Sequence, residues 1–222
     1  MLQRYRHGYL LASLLMLLFI YPFMGRDGLG TALMDMALVL TMVTSILACS
    51  VNLRQSIVGL VLIALMQLVF LYRYGNDDAG LIGVYPGLGL LVFSYVTFLM
   101  LRKIFLATPR VTADTIYGAL SIYMMLGILW TFAYTLLEIR EPGSFDFGES
   151  ITAPRFDRFM GFSFVTITTL GYGNVVPTNP RADALSAAEA VVGQVYLTVM
   201  LARLVALQLT QAGRSGGDDA SA

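Results

Sequence analysis

Long apolar runs, separated by short polar breaks, constrain the fold of this 222-residue chain more than any other feature. A helix needs about 20 apolar residues to cross a hydrocarbon core about 30 Å thick. The runs that reach or approach this length cover residues 8–24, 31–51, 56–72, 79–101, 114–138 and 183–210. Charged residues make up 13% of the chain, whereas soluble domains carry about 25%. The sequence therefore predicts an all-α membrane protein with six transmembrane helices.

Charge balance and the rarity of reactive side chains argue against several functions. Lys+Arg and Asp+Glu number 14 each, without a basic run, which argues against nucleic-acid binding. The chain has one histidine, His7, and one cysteine, Cys49, so neither a metal-ligand cluster nor an internal disulfide is expected. No nucleophile is paired with a base in the pattern. We expect no enzymatic activity and no cofactor.

The distribution of basic residues predicts the orientation in the membrane. Short segments on the side of the N-terminus carry Arg and Lys without acids, whereas the opposite loops mix Arg with Asp and Glu. Basic residues are retained on the cytoplasmic side. Both termini are therefore expected in the cytoplasm, and the chain is expected in the plasma (inner) membrane. The residues assigned inside are Arg4, Arg6, Arg54, Arg102, Lys103, Arg110, Arg203 and Arg214; those assigned outside are Arg26, Arg73, Arg140, Arg155, Arg158 and Arg181.

The connection between the last two runs, residues 139–182, is too long for a plain turn between helices. It becomes apolar again over residues 156–169. About 14 residues in a helix span about 20 Å, which is too short to cross a bilayer. This stretch is therefore predicted to be a re-entrant helix, with Asp157 as its N-cap or first-turn acid. Such backbone is tolerated at membrane depth only inside protein or beside water.

The half-length helix leads directly into TTLGYGN, residues 168–174, which we call the TTLGYGN segment. Backbone outside a helix at this depth leaves carbonyl groups unpaired, and a dehydrated cation is one suitable partner. Gly171 and Gly173 can adopt φ values that are closed to other residues, which would allow successive carbonyls to face one side. Thr169 can add a hydroxyl oxygen. One chain supplies one wall, so a ring of oxygens requires rotational symmetry.

The TTLGYGN segment resembles the potassium-channel signature T-V-G-Y-G, with Leu170 where valine is commonest. The resemblance extends through residues 175–178 into the last apolar run and covers about residues 114–210. It implies a homotetramer in membrane lipid, with K⁺ as the permeant species bound by Thr169, Leu170, Gly171, Tyr172 and Gly173. It also implies a four-helix, voltage-sensor-like domain at 1–108 and a pore domain at 109–212. A disordered tail is expected at 213–222.

Two positions depart from the family pattern. Asn174 stands where many relatives carry Asp, and Val165 stands where some bacterial relatives carry a Glu that pairs with that Asp. Because both acids are absent together, no buried carboxylate is left without its partner. We expect hydroxyl groups, such as that of Thr168, and packing to support the segment instead.

The last apolar run contains polar residues that lipid disfavours. Gly193 falls at the inner-helix hinge glycine of the resembled family, and Gln194 follows it toward the central cavity. Leu197 and Leu201 lie three and seven residues beyond Gln194 and could form an apolar constriction. Glu189 is expected to pack against the re-entrant helix or the fifth span.

The first four spans lack the arginine array of a voltage sensor. No Arg or Lys occurs between residues 79 and 101, and Arg102 and Lys103 are expected among lipid headgroups. We therefore predict little response to voltage. Asp35 and Gln67, within the second and third spans, are expected to form interhelical hydrogen bonds. Arg203, near the end of the last span, is expected to snorkel to the interface.

Three functions stay open at the level of sequence. The first is a potassium-selective channel that conducts K⁺ passively. The second is a weakly selective monovalent cation channel, since Leu170 and Asn174 depart from the commonest pattern. The third is a nonconducting membrane sensor, or a transporter subunit that uses a pore-like fold. The presence of one filter-like segment, rather than four in one chain, disfavours a transporter.

Overall fold

The structure is a computed structural model that describes residues 6–20, 28–49, 52–75, 81–107, 112–148 and 156–219. Within these residues the fold consists of seven helices and two strands of two residues each. The helices are α1 Arg6–Ile20, α2 Gly28–Cys49, α3 Leu53–Gly75, α4 Val84–Ala107, α5 Ala113–Arg140, α6 Phe156–Ile167 and α7 Pro180–Asp219. The strands β1 Phe145–Asp146 and β2 Val176–Pro177 pair antiparallel.

Four of the described helices are long and apolar enough to cross a membrane, over Leu53–Tyr72, Val84–Leu106, Ala113–Arg140 and Pro180–Thr210. The first two helices contribute shorter apolar segments, His7–Phe19 and Met36–Ala48. The prediction of an all-helical membrane protein is confirmed, while the count of six spans stays a prediction.

Helix α5 lies at the centre of the fold and contacts α1, α4, α6 and α7. Side chains from α1, α2, α4 and α5 share one apolar core. Fully buried members of that core include Leu10, Leu14, Met42, Phe93, Met100 and Ile122. Of the N-terminal helices, α1 and α4 therefore pack against α5, the helix that also contacts α6.

The predicted fourth span is displaced toward the C-terminus. It begins at Val84 rather than residue 79, so Pro86 lies in the first turn, where a missing N–H breaks no helical hydrogen bond. It continues to Ala107 and includes Arg102 and Lys103. The Lys103 ammonium donates a hydrogen bond of 2.6 Å to the carbonyl oxygen of Ala48, near the end of α2. The unpaired carbonyls at the end of α2 give Lys103 a partner within the subunit, and its place among lipid headgroups stays a prediction.

Gln67 and Asp35 were expected to form interhelical hydrogen bonds within the second and third spans. Gln67 Nε2 is buried and has no hydrogen-bond partner within the described part of the chain. The predicted interhelical bond of Gln67 is therefore not formed there; α3 leaves much of its length uncovered by this chain, so few polar groups reach it. The side chain of Asp35 lies outside the described residues.

The last helix, α7, extends over 40 residues to Asp219. Residues 213–219 are thus helical where a disordered tail was expected, and residues 220–222 lie outside the described ranges. Adding a residue to an existing helix is far easier than starting one. A long helix can therefore continue into a sequence that would not form a helix alone.

Candidate functional site

The site is built on α6, a helix of 12 residues that spans about 18 Å. Asp157 lies in its first turn, as the sequence predicts. Phe159 and Phe162 are buried on the side that faces α5, and their rings lie 6.3 and 5.0 Å from that of Tyr134. Aromatic packing therefore holds the half-length helix against α5.

The backbone turns sharply where α6 ends. Thr169 N donates to Thr166 O at 2.9 Å, while Leu170 N and Gly171 N both donate to Val165 O, at 2.9 and 3.3 Å. One carbonyl in the last turn of α6 thus binds the first residues of the TTLGYGN segment. Val165 supports the segment through its backbone, although no acidic side chain is present at this position.

Every second residue of the TTLGYGN segment has a left-handed backbone. The φ angles are 60° at Thr169, 63° at Gly171 and 73° at Gly173. Among the described residues, Thr169 is the only non-glycine residue with positive φ. Such a conformation costs about 1–3 kcal/mol and is found mainly at functional sites. The regular alternation reverses successive peptide units and allows their carbonyl oxygens to line one side of the chain.

The two large side chains of the TTLGYGN segment are mostly exposed in the single subunit. Leu170 is 56% exposed and Tyr172 is 72% exposed. Directly afterwards, Val175 is 4% exposed and belongs to a core with Tyr134 and Phe159. The segment is therefore anchored at both ends, while its middle projects away from the subunit.

The exit from the segment is fixed by the connection that follows α5. In the two-residue sheet, Asp146 pairs with Val176. Next to the sheet, Thr178 N donates to Ser144 O at 2.9 Å, and the Thr178 hydroxyl donates to Gly143 O at 2.5 Å. Residues 176–178 are thus tied to the end of α5.

A buried carboxylate supports this connection. Glu138, in the last turns of α5, is 5% exposed. Its Oε1 accepts from Gly143 N at 2.7 Å, and its Oε2 accepts from Phe145 N at 3.2 Å. Glu138 was not among the residues predicted from the sequence. The available signal was an acid at the end of an apolar run, just before the turn-forming residues Pro142 and Gly143.

Hydroxyl groups contact the backbone at the end of α6. The Thr168 hydroxyl donates to Phe164 O at 2.6 Å. The Tyr123 hydroxyl, from α5, donates to Ile167 O at 2.9 Å. Asn174 is exposed and has no hydrogen-bond partner among the described residues. Tyr123, which lies far from the segment along the chain, was also not among the predicted residues.

Glu189 on α7 is fully buried between α5 and α6. The Tyr134 hydroxyl donates to its Oε2. The Ser163 hydroxyl oxygen lies 2.5 Å from Glu189 Oε1 and 2.7 Å from Gly127 O. The prediction that Glu189 packs against the re-entrant helix or the fifth span is confirmed, since it contacts both.

One turn further along α7, Gly193 allows close contact with the end of α6. It is buried, and a Cβ atom there would lie 2.5 Å from Ile167 Cγ1 and 2.9 Å from Ile167 O. The helix continues through Gly193 without a break. Close packing is thus a sufficient reason for this glycine, and its role as a hinge stays a prediction.

The expected cavity and gate residues share an uncovered face of α7. Gln194, Leu197 and Leu201 are all exposed in the single chain, the two leucines by 39% and 64%. Nothing in the described chain covers this face. The guanidinium of Arg203 lies 4.8 Å from the centre of the Phe105 ring on α4, and its expected extension to the membrane interface stays a prediction. A cation over an aromatic face is electrostatically favourable.

Comparison with known families covers this same region. A protein-family model described as an ion channel matches residues 144–208, which include β1, α6, the TTLGYGN segment, β2 and most of α7. No curated protein and no solved structure matches the chain. Within the described residues, no group of three or more His, Cys, Asp or Glu side chains could hold a metal ion. The family match and the long apolar helices together support an ion-channel domain in a multi-pass membrane protein.

Proposed function

We propose that four copies of this chain form a potassium-selective channel that conducts K⁺ passively. The carbonyl oxygens of Thr169, Leu170, Gly171 and Tyr172, with the Thr169 hydroxyl and Gly173 at the two ends, line the filter. The observation that carries this proposal is the alternation of left-handed φ angles at residues 169, 171 and 173. The match to an ion-channel family over 144–208 supports the same region.

Potassium suits this arrangement because the oxygens are uncharged. Backbone carbonyl oxygens can replace the hydration shell of a monovalent cation without binding it too tightly to leave. One chain supplies one wall, and closed rotational symmetry supplies the rest. The exposure of Leu170 and Tyr172 in the single chain agrees with a segment whose side chains pack between neighbouring subunits.

The uncovered face of α7 supplies the inner part of the proposed pathway. Four copies of Gln194 would place amide groups below the filter, where they solvate a cation without holding it. Leu197 and Leu201 would form an apolar constriction that closes when water leaves it. The exposure of all three side chains in the subunit supports this role.

The proposed subunit crosses the plasma membrane six times, with both termini in the cytoplasm. Residues 1–108 form the four-helix domain ahead of the pore, without the array of cations that strong voltage gating requires. Channel opening would then depend on a stimulus other than membrane potential.

Flux through liposomes that contain the purified full-length chain tests this function. We expect K⁺ and Rb⁺ to pass and Na⁺ to be excluded, with a reversal potential that follows the K⁺ gradient. Chemical crosslinking in the same liposomes should end at a tetramer. Equal passage of Na⁺ and K⁺ would favour the weakly selective cation channel. Absence of any flux from crosslinked tetramers would favour the nonconducting sensor or transporter subunit.

A further inference from the structure

Two buried glutamates flank the candidate site, and their partners differ in kind. Glu138 faces two backbone N–H groups, which can only donate. Both of its oxygens therefore act as acceptors, which is the arrangement that a carboxylate requires. Glu189 faces two hydroxyl groups instead, from Tyr134 and Ser163. A hydroxyl can donate or accept, so these partners are compatible with either a carboxylate or a neutral carboxylic acid at Glu189. The number of available hydrogens decides between the two.

The count of hydrogens around Ser163 is informative. Its oxygen lies 2.5 Å from Glu189 Oε1 and 2.7 Å from Gly127 O. Both neighbours are acceptors if Glu189 is ionised, yet a serine hydroxyl carries one hydrogen. One of the two contacts would then press two oxygens together without a proton between them. A proton on Glu189 resolves this, because Glu189 donates to Ser163 and Ser163 donates to Gly127 O.

The absence of an ion pair at Glu189 within the described residues also favours a protonated side chain. Its side chain is 0% exposed. Ion pairs in the described ranges join His7 to Asp114 and Arg181 to Glu141, and none includes Glu189. An ionised carboxylate in an apolar interior without a cation costs several kcal/mol or more.

We propose that Glu189 is held as a neutral carboxylic acid and serves as a positioning residue for α6. Its O–H donates to Ser163 on α6, and its other oxygen accepts from Tyr134 on α5. One side chain of α7 thus joins the three helices behind the TTLGYGN segment. The proposal goes beyond the proposed function, since it concerns the packing of one subunit and does not require conduction.

The place of Glu189 on α7 explains why α6 would depend on it. Gly193 lies one turn beyond Glu189 and contacts Ile167, while Ser163 lies one turn before Ile167 on α6. The two helices therefore meet at two successive turns, once through a polar bond and once through close backbone packing. Together these contacts fix the direction in which the end of α6 points.

Matched substitutions at the two glutamates test the proposal. In Glu189→Gln, the amide NH₂ donates to Ser163 and the amide oxygen accepts from Tyr134, so both bonds are kept. We expect its thermal midpoint to stay within about 2 °C of that of the unmodified protein. Glu189→Ala loses both bonds, and Glu138→Gln places an NH₂ against a backbone N–H. Each of these should lower the thermal midpoint by roughly 2–12 °C, because a buried polar group is left without a suitable partner.

Infrared spectroscopy detects the proposed protonation of Glu189 directly. In the full-length protein at neutral pH, we expect the carbonyl stretch of a protonated carboxylic acid that shifts when glutamate is labelled with ¹³C. The band should vanish in Glu189→Gln and persist in Glu138→Gln. The labelled unmodified protein gives a result even if a variant fails to fold.

The proposal is overturned if the labelled protein lacks that band, or if Glu189→Gln is as damaging as Glu189→Ala. Neither readout depends on ion flux, so these failures are distinct from a failure of the proposed channel function.

Discussion

At the scale of single residues, the geometry of the candidate site depends on the backbone of the TTLGYGN segment more than on its side chains. Thr169 shares its left-handed conformation with Gly171 and Gly173, although it has a branched side chain. The strain is retained because Thr169 N bonds to Thr166 O and Leu170 N bonds to Val165 O, directly on either side of the Thr169 Cα. The alternating pattern is therefore imposed by the end of α6.

We expect Gly171→Ala to reduce K⁺ flux by about tenfold or more. There is open space around a Cβ atom at this position, but φ is +63°, and an L-residue there costs roughly 1–2 kcal/mol. The strain would be relieved by turning the peptide unit, which would move a carbonyl oxygen away from the ion path. The measurement is K⁺ flux in liposomes.

Gly161→Ala is the matched control, because Gly161 also has open space but lies within α6 with ordinary helical φ. Its flux should equal that of the unmodified protein. Full flux in Gly171→Ala would contradict the role given to the left-handed backbone.

We expect Tyr123→Phe to destabilise the protein, because it leaves the Ile167 carbonyl at the end of α6 without its hydroxyl donor. Loss of such a bond costs about 1 kcal/mol, or about 2–4 °C in thermal midpoint for a chain of this size. Thermal unfolding in detergent measures the change. Tyr117→Phe on the same helix should have no effect, since the Tyr117 hydroxyl bonds to nothing in the described structure; equal losses in both variants would refute the assignment.

Some residues of the site could be predicted from the sequence, and others could not. Residues 168–174 stand out because two glycines interrupt an apolar context locally. Tyr123 and Glu138 do not stand out, because their partners are backbone groups. Tyr123 reaches Ile167 across 44 residues, a distance at which one sequence carries no signal of pairing. Glu189 was predictable in part, since an acid inside an apolar run needs a buried partner, but the identity of Tyr134 was not.

At the scale of elements, the contact between α6 and α7 determines how the site is held. Helix existence followed from apolar length, whereas helix ends did not: α4 begins five residues later than residue 79, and α7 continues to Asp219. The existence of a helix is predicted from an apolar pattern over many residues, whereas the position of its end depends on one or two local bonds. The bond from Lys103 to the Ala48 carbonyl oxygen, near the end of α2, is one such local bond.

We expect Gly193→Ala to lower the thermal midpoint, because a Cβ atom would lie 2.9 Å from the Ile167 carbonyl oxygen, which is part of the backbone and cannot turn away. Overpacking of this kind costs about 1–3 kcal/mol. Gly87→Ala in α4 meets no atom within 4 Å and should be neutral or slightly stabilising, as alanine favours helix.

The same pair of variants separates packing from hinge motion. If Gly193 acts only as a hinge, Gly193→Ala will change channel opening and leave the thermal midpoint of the protein unchanged.

At the scale of the whole molecule, α1 and α4 connect the N-terminal helices to α5, but the N-terminal helices carry few charges that could respond to voltage. We expect conductance to change only shallowly with membrane potential, since moving one charge across the membrane is worth about 2.3 kcal/mol per 100 mV. In α4 the basic residues are Arg102 and Lys103, and Lys103 is bound to α2. Planar-bilayer recordings over a range of potentials measure the slope. Arg102→Gln should leave that slope unchanged; a steep slope abolished by this variant would show that α4 senses voltage.

The projecting middle of the TTLGYGN segment has a consequence for the life of the protein in a cell. In the proposed channel, an isolated subunit supplies a quarter of each ring of oxygens, and its Tyr172 side chain is mostly exposed. A newly inserted subunit therefore cannot dissipate the ion gradients of the membrane that receives it. Permeability would arise only in the last step of assembly, when the fourth subunit joins. Synthesis and the earlier stages of assembly would therefore not make the membrane permeable to ions.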